Sequence, residues 1–197
     1  MKENNKYRVL SEEGEVLPNL LGLTSLEEIE FAETEELLFA EISIIENLSN
    51  ETVFDLDYIY KIHKLGFERL YSFAGKLRTV NISKNGFLFP SAEFLSLAMD
   101  NFQNQILSQL PNTYQDENKL ITDIAIVHAE LLFIHPFREG NGRVARILSN
   151  AMAQKEGFEP LKFERITDQK KDEYIWAVQK AADKEYSPME KIISFIF

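Results

Sequence analysis

Apolar residues recur at helical spacing along most of this chain and at strand spacing in one short stretch. Ser25 and Glu28 form a capping box ahead of a first helix that runs to about Glu46. A second helix is expected from Asp57 to Leu70, with Ile59, Ile62 and Leu65 on one face. The helical pattern then breaks. Val80 and Ile82 alternate with polar residues, Asn85-Gly86 is a hairpin turn signal, and Phe87 and Phe89 alternate beyond it. A third helix follows Pro90 and runs to about Leu110, where Pro111-Asn112 ends it. A fourth spans about Lys119 to Ile134. A fifth leaves at about Gly142, with Val144, Ile147, Leu148 and Met152 sharing a face. A sixth starts near Thr167. The seventh opens with the capping-box pattern Ser187-Pro188-Met189-Glu190, proline taking the first helical position. The short apolar end, Ile192 to Phe197, reads as the close of a docked helix. The pattern therefore predicts a mainly α fold, compact and helical, with one β-hairpin. Residues 1–23 read as an irregular arm and residues 24–197 as a single domain.

Composition narrows the classes. A chain of 197 residues with 45% hydrophobic positions and 15 Phe can bury a substantial core. Its net charge of −11 argues against direct nucleic-acid binding and against an anionic membrane surface. With no Cys there are no disulfides, zinc-thiolate sites or thiol nucleophiles, as suits a reducing, cytoplasmic setting. No signal-peptide pattern and no apolar run of about 18 residues is visible.

Against that acidic background one segment reverses sign. His135-Pro136-Phe137-Arg138-Glu139-Gly140-Asn141-Gly142-Arg143, with Arg146 after it, holds a base, a carboxylate, a glycine-rich turn and three arginines. Gly140 and Gly142 flank Asn141, and these residue types tolerate left-handed backbone. Such a turn can aim successive N–H groups at one anion, and it opens onto a helix N-terminus. Arg143 and Arg146, three apart, project from one side of the first turns. Guanidinium groups there suit a polyphosphate. Glu139 would repel that ligand unless a cation stood between them, and Mg²⁺ is the cation that accompanies nucleotide phosphates. His135 can accept a proton near neutrality, which fits a general base for an incoming hydroxyl. Nothing in the chain suggests a protein nucleophile, so in-line attack by an external hydroxyl is the economical chemistry.

The remaining candidates are plainer. His63, among Ile59 and Ile62, and His128, among Ile124, Val127 and Leu131, read as residues at a core margin. Trp176 and Tyr174 read as core, and no adenine pocket can be placed. The hairpin reads either as a structural ribbon or as a flap whose open edge holds an extended peptide by main-chain bonds. In the second case Asn81, Ile82, Ser83, Lys84, Asn85, Gly86 and Phe87 dock a target. Lys84 near the tip can reach a phosphate, although a solvated lysine is the plainer reading.

The segment His135 to Arg146 resembles the Fic family signature, H-x-F-x-(D/E)-G-N-G-R-x-x-R, at every specified position. Leu70-Tyr71-Ser72-Phe73-Ala74-Gly75 and Arg78 to Lys84 are also similar to the family, and the likeness covers a core from about Leu56 to Phe195. Most members transfer AMP from ATP to a protein hydroxyl. The resemblance implies that His135 is the base, that Glu139 holds Mg²⁺ and that Phe137 packs to orient the loop. It further implies that Gly140, Asn141 and Gly142 bind phosphate and that Arg143 and Arg146 bind the outer phosphates. The phosphorylating Doc-like branch departs from this pattern in the turn. Some relatives use another nucleotide or a phosphocholine carrier, or remove AMP. A non-catalytic nucleotide sensor is the alternative of a different class, and the intact His135 speaks against it. Small stand-alone toxins of the family modify type II topoisomerase subunits, which makes these the first candidate targets. Many members are restrained by a glutamate from the pattern (S/T)-x-x-x-E-(G/N), which pairs with the second arginine, here Arg146. Thr113 to Asn118 fits that pattern, but it specifies only three positions and the match is read as chance. No inhibitory segment is expected after the last helix. The resemblance thus implies a small antitoxin partner that supplies the glutamate.

Overall fold

The computed structural model describes residues 8–9 (backbone only), 16–84 and 87–197. Among them are seven α-helices and three short strands. Helix α1 is Leu26–Glu46, α2 Leu56–Phe67, α3 Leu95–Gln105, α4 Glu117–Ile134, α5 Asn141–Lys155, α6 Asp168–Lys180 and α7 Ser187–Ile196. Strands β1 (Arg8–Val9), β2 (Ile82–Lys84) and β3 (Phe87–Leu88) form an antiparallel sheet in that order.

Helix starts follow side-chain chemistry. Ser25 Oγ accepts from the Glu28 N–H at 3.2 Å, so the expected N-cap forms, and the Glu28 carboxylate returns to the Ser25 hydroxyl rather than to its backbone N–H. Asp55 caps α2 by accepting from the Tyr58 N–H, and Asp116 caps α4 by accepting from the Asn118 N–H. The second capping box does not form. Tyr186 takes the N-cap position of α7 without a side-chain bond, and the Glu190 carboxylate accepts from Thr122 Oγ1 at 2.7 Å. A tertiary bond to α4 has taken the side chain that would have reached back.

Helix α4 is the central element. Twelve of its residues are buried, including both charged Asp123 and Glu130, so it has no polar stripe. It packs against α5 and α7, while α1 lies against α2 and α5. Val144, Ile147, Leu148 and Met152 all face the core, as their spacing predicts. Gly66 allows α1 to approach α2: a Cβ there would meet Leu37 Cδ2 at 2.7 Å. The third helix is shorter than expected, because single 3₁₀ turns flank it at Ala92–Phe94 and Leu107–Gln109. At the C-terminus Met189, Ile193 and Ile196 are buried, which docks α7. No helix among the described residues is long and apolar enough to cross a membrane.

The hairpin is present, with Ser83 opposite Leu88 and Lys84 opposite Phe87. Asn85 and Gly86, its expected turn, lie outside the described residues. One expectation changes. The pattern predicts an irregular arm throughout, whereas Arg8–Val9 pairs with β2, with Arg8 opposite Ser83 and Val9 opposite Ile82. The β2 edge is therefore covered by the chain itself. Among the described residues the outward edge of β3 remains as a template for a further strand.

Candidate active site

Helix α4 ends at His135, which adopts left-handed backbone, φ 53° and ψ 58°. That is uncommon for a residue with a side chain, so surrounding bonds must hold it. Arg78, 3% exposed, supplies them. Its Nε donates to the His135 carbonyl at 2.8 Å, and its backbone N–H donates to the Pro136 carbonyl at 2.8 Å. Its remaining nitrogens donate to the Val80 and Pro90 carbonyls, at the two ends of the hairpin. Residue pattern alone assigns Arg78 no role, because its acceptors are backbone groups, which leave no mark in residue type.

The His135 ring is 4% exposed and stacks on Phe89 at 3.9 Å. Nδ1 lies 2.8 Å from the Leu132 carbonyl. A carbonyl only accepts, so Nδ1 carries the proton and the basic lone pair is on Nε2. Burial, chiefly, pushes its pKa down to about 3, with Lys84 and Arg78 adding to the effect. The ring is neutral at physiological pH.

The turn closes on itself. Asn141 is fully buried and spends its side-chain amide on Phe137, accepting from its N–H and donating to its carbonyl, both at 2.8 Å. That side chain builds the turn, which leaves backbone N–H groups as the donors it can offer a ligand. Phe137 is fully buried and stacks on His63 at 3.8 Å. Gly140, at φ 80°, precedes α5, and a Cβ there would sit 2.3 Å from Phe67 ring carbons. The left-handed positions are thus His135 and Gly140. Gly142 lies in regular helix with open space where a Cβ would go. The first N–H groups of α5 have no helical acceptor, and no side-chain cap takes them at Gly140.

His63 also serves the turn. Its Nδ1 accepts from the Gly75 N–H at 2.7 Å, so Nε2–H donates to the Glu139 carbonyl at 3.1 Å. The sequence suggested only a core-margin residue, and the ring is in fact fully buried under the turn. Glu139 Oε1 accepts from the Gly140 N–H at 2.8 Å and from Arg143 at 3.2 Å. Arg143 turns back toward α1, where it meets buried Glu33 at 2.8 Å. Arg146 points elsewhere. It lies over the Phe163 ring and beside Tyr174, and no carboxylate among the described residues pairs with it.

A cavity of about 420 Å³ opens at this point. His135, Gly142 and Arg146 line one wall, and Lys84, Phe87 and Phe89 of the flap another. Helix α6 supplies Lys171, Tyr174, Ile175 and Val178, with Ile166 and Asp168 just before and at its start. The sequence alone reads Tyr174 as core and places no adenine pocket. Tyr174 is core and cavity wall at once, since its hydroxyl meets His128 Nε2 at 2.7 Å while the residue borders the cavity. Trp176 is half exposed, away from the core. Lys84 is half-buried at the cavity rather than freely solvated, and burial lowers its pKa.

The sequence model of the Fic/DOC family matches residues 53–153, just over half the chain, including the whole turn. The chain belongs to the Fic/DOC family. It is similar to the protein adenylyltransferase VbhT of Bartonella schoenbuchensis, 34% identical over 149 residues, 73% of this chain and 30% of VbhT. It is also similar to the protein adenylyltransferase Fic of Nematostella vectensis, 30% identical over 128 residues, 64% of this chain and 28% of that protein. The chain therefore spans under a third of these curated relatives. In fold it matches the N-terminal FIC domain of Bep8 from Bartonella sp. 1-1C, TM-score 0.76 at 18% identity, over 95% of this chain and 93% of that one. BepC of Bartonella tribocorum, solved with bound AMPPNP, matches at TM-score 0.73 and 18% identity, over 91% of each chain. The mainly helical fold with its small flap is that of the Fic domain.

Proposed function

We propose that this Fic domain transfers AMP from ATP to a hydroxyl of a target protein. The observation that carries it is the His135 tautomer: a neutral ring with its proton on Nδ1 and its basic lone pair on Nε2, in a residue that borders a cavity shared with Gly142 and Arg146. The target hydroxyl attacks the α-phosphorus while Nε2 takes its proton. The bond from that phosphorus to the bridging oxygen breaks, and pyrophosphate leaves. Amide groups at the start of α5, with Arg146, Lys84 and Lys171 near the cavity, neutralise the phosphates. The apolar side chains Ile166, Ile175 and Val178 form a wall for a base. A nucleotide sensor would gain nothing from a positioned base.

Glu139 fits a magnesium ligand. It is a hard oxygen donor beside the turn, and no hydrogen bond among the described residues engages its Oε2. Mg²⁺ asks for one or two carboxylates and otherwise takes phosphate oxygens and water, so no larger acidic cluster is required. When bound, it would offset charge on the phosphates.

Of the hairpin expected to dock a target, β2 is already paired with β1 and β3, so the edge of β3 at Phe87–Leu88 is the one that holds the target's main chain. The target's identity is open, and type II topoisomerase subunits are the first to test, in a cytoplasmic toxin setting. A small antitoxin that presents a glutamate to Arg146 would restrain the reaction. The deciding experiment incubates the chain with ATP labelled at the α- or the γ-phosphate, Mg²⁺ and a bacterial lysate. Label from the α-phosphate alone on a protein band is expected. Transfer of γ-label would replace adenylyl transfer with phosphorylation.

A further inference from the structure

The two arginines of the turn have different surroundings. Arg146 borders the cavity, and no carboxylate among the described residues pairs with it. Arg143 bridges two carboxylates: Nη1 donates to Glu33 Oε2 at 2.8 Å and Nη2 to Glu139 Oε1 at 3.2 Å. Glu33 is 6% exposed on α1, and its other oxygen accepts from the Tyr71 hydroxyl at 2.5 Å. The guanidinium also lies over the Phe67 ring, 5.1 Å from its centre, and that ring packs beneath Gly140. A chain of bonds thus runs from Tyr71 through Glu33 and Arg143 to Oε1 of Glu139, which the Gly140 N–H holds as well.

We propose that Arg143 and Glu33 are positioning residues that fix the Glu139 carboxylate for its divalent cation, and that Arg143 is not an outer-phosphate ligand. The inference rests on the adenylyl-transfer reading of this site. A buried carboxylate needs charged partners, and Glu33 has one in Arg143. Two donors on Oε1 set the rotation of Glu139 and leave Oε2 as the oxygen for the metal. Partners of this kind, one bond behind a ligand, commonly change metal affinity by about 10- to 100-fold when removed. Phosphate binding falls instead to Arg146 and the amides of α5.

Binding of ADP, measured by calorimetry with and without Mg²⁺, separates the two roles without requiring turnover. For Glu33→Gln we expect affinity about ten-fold weaker with Mg²⁺ and unchanged without it. Raising Mg²⁺ should restore binding, and Glu33→Asp should recover part of the loss. Tyr71→Phe, which removes one donor to Glu33 and keeps the ring, should show a smaller loss of the same kind. It also serves if Glu33→Gln does not fold. Equal weakening with and without Mg²⁺ would overturn the proposal by making Arg143 a phosphate ligand. Tighter binding without Mg²⁺ would do so as well, by making Glu33 a competitor of phosphate. A lower melting temperature with unchanged Mg²⁺ dependence would reduce the network to a structural role. Failure of the parent chain to bind nucleotide with Mg²⁺ would sink the function reading itself, whereas parental binding with unaffected variants sinks this inference alone.

Discussion

The His135 ring is held, buried and neutral, the state that the proposed base needs. The Leu132 carbonyl fixes the proton on Nδ1, and burial lowers the pKa from 6.5 to about 3. The deprotonated form is the active one, so transfer is expected to persist as pH falls through 6.5 and to fail only well below it. An acid limb at 6.5 in kcat/KM would show a solvated ring. His135→Ala should cost about 10² to 10⁴ in transfer rate and leave nucleotide affinity nearly intact, as read by single-turnover labelling beside calorimetry. The glycines should separate similarly. Gly142→Val puts bulk into open space at the cavity, so ATP affinity should fall with little change in melting temperature. Gly140→Ala drives a Cβ into Phe67 at a left-handed position, so stability itself should fall. Equal losses in both variants would mean that Gly142 supports the fold. At this scale the sequence showed what lies close along the chain. The spacing from His135 to Arg146 was legible because the chemistry is contiguous. His63 was not, because its acceptor at Glu139 is 76 residues away.

Between elements, one side chain couples the flap to the turn. Arg78 bonds the carbonyls of His135, Val80 and Pro90, so the strained end of α4 and both ends of the hairpin share a guanidinium. Losing it leaves the buried His135 carbonyl without this donor, at on the order of 1–3 kcal/mol, and the part-buried Val80 and Pro90 carbonyls at less. Arg78→Gln should therefore lower both the denaturation midpoint and the transfer rate, while Arg78→Lys rescues little because one ammonium cannot reach three diverging acceptors. Full activity and stability in Arg78→Gln would mean that the flap and the base are set independently. Helices were readable here wherever apolar spacing and a local cap agreed, as at Ser25. The capping pattern at Ser187 misled because Glu190 had a partner on α4. Strand β1 escaped notice because two residues carry no alternation and their partner strand lies far along the chain.

Across the whole molecule, burial of all three histidines ties stability to pH. The pKa values of His63, His128 and His135 are lowered, to about 4, 3 and 3, each chiefly by burial. Below 6.5 the unfolded chain binds more protons than the folded one, so stability falls as pH drops from 6.5 toward those values. Each group contributes up to about 1.4 kcal/mol per pH unit in that window. Melting temperature should decline steadily below pH 6.5, and a flat profile to pH 5 would contradict the burial of these rings. Placement in the molecule also bears on inhibition. The pattern match at Thr113 to Asn118 puts Glu117 in the first turn of α4, whereas His135 caps its far end. An 18-residue helix spans about 27 Å, so Glu117 cannot reach the turn after His135 in this fold. Arg146 has no carboxylate partner among the described residues, and the one glutamate that α1 sends to the turn engages Arg143 instead. Glu117→Gly should therefore leave self-labelling by α-labelled ATP at the parental level. A strong rise would locate the restraint within this chain and remove the need for a glutamate supplied in trans.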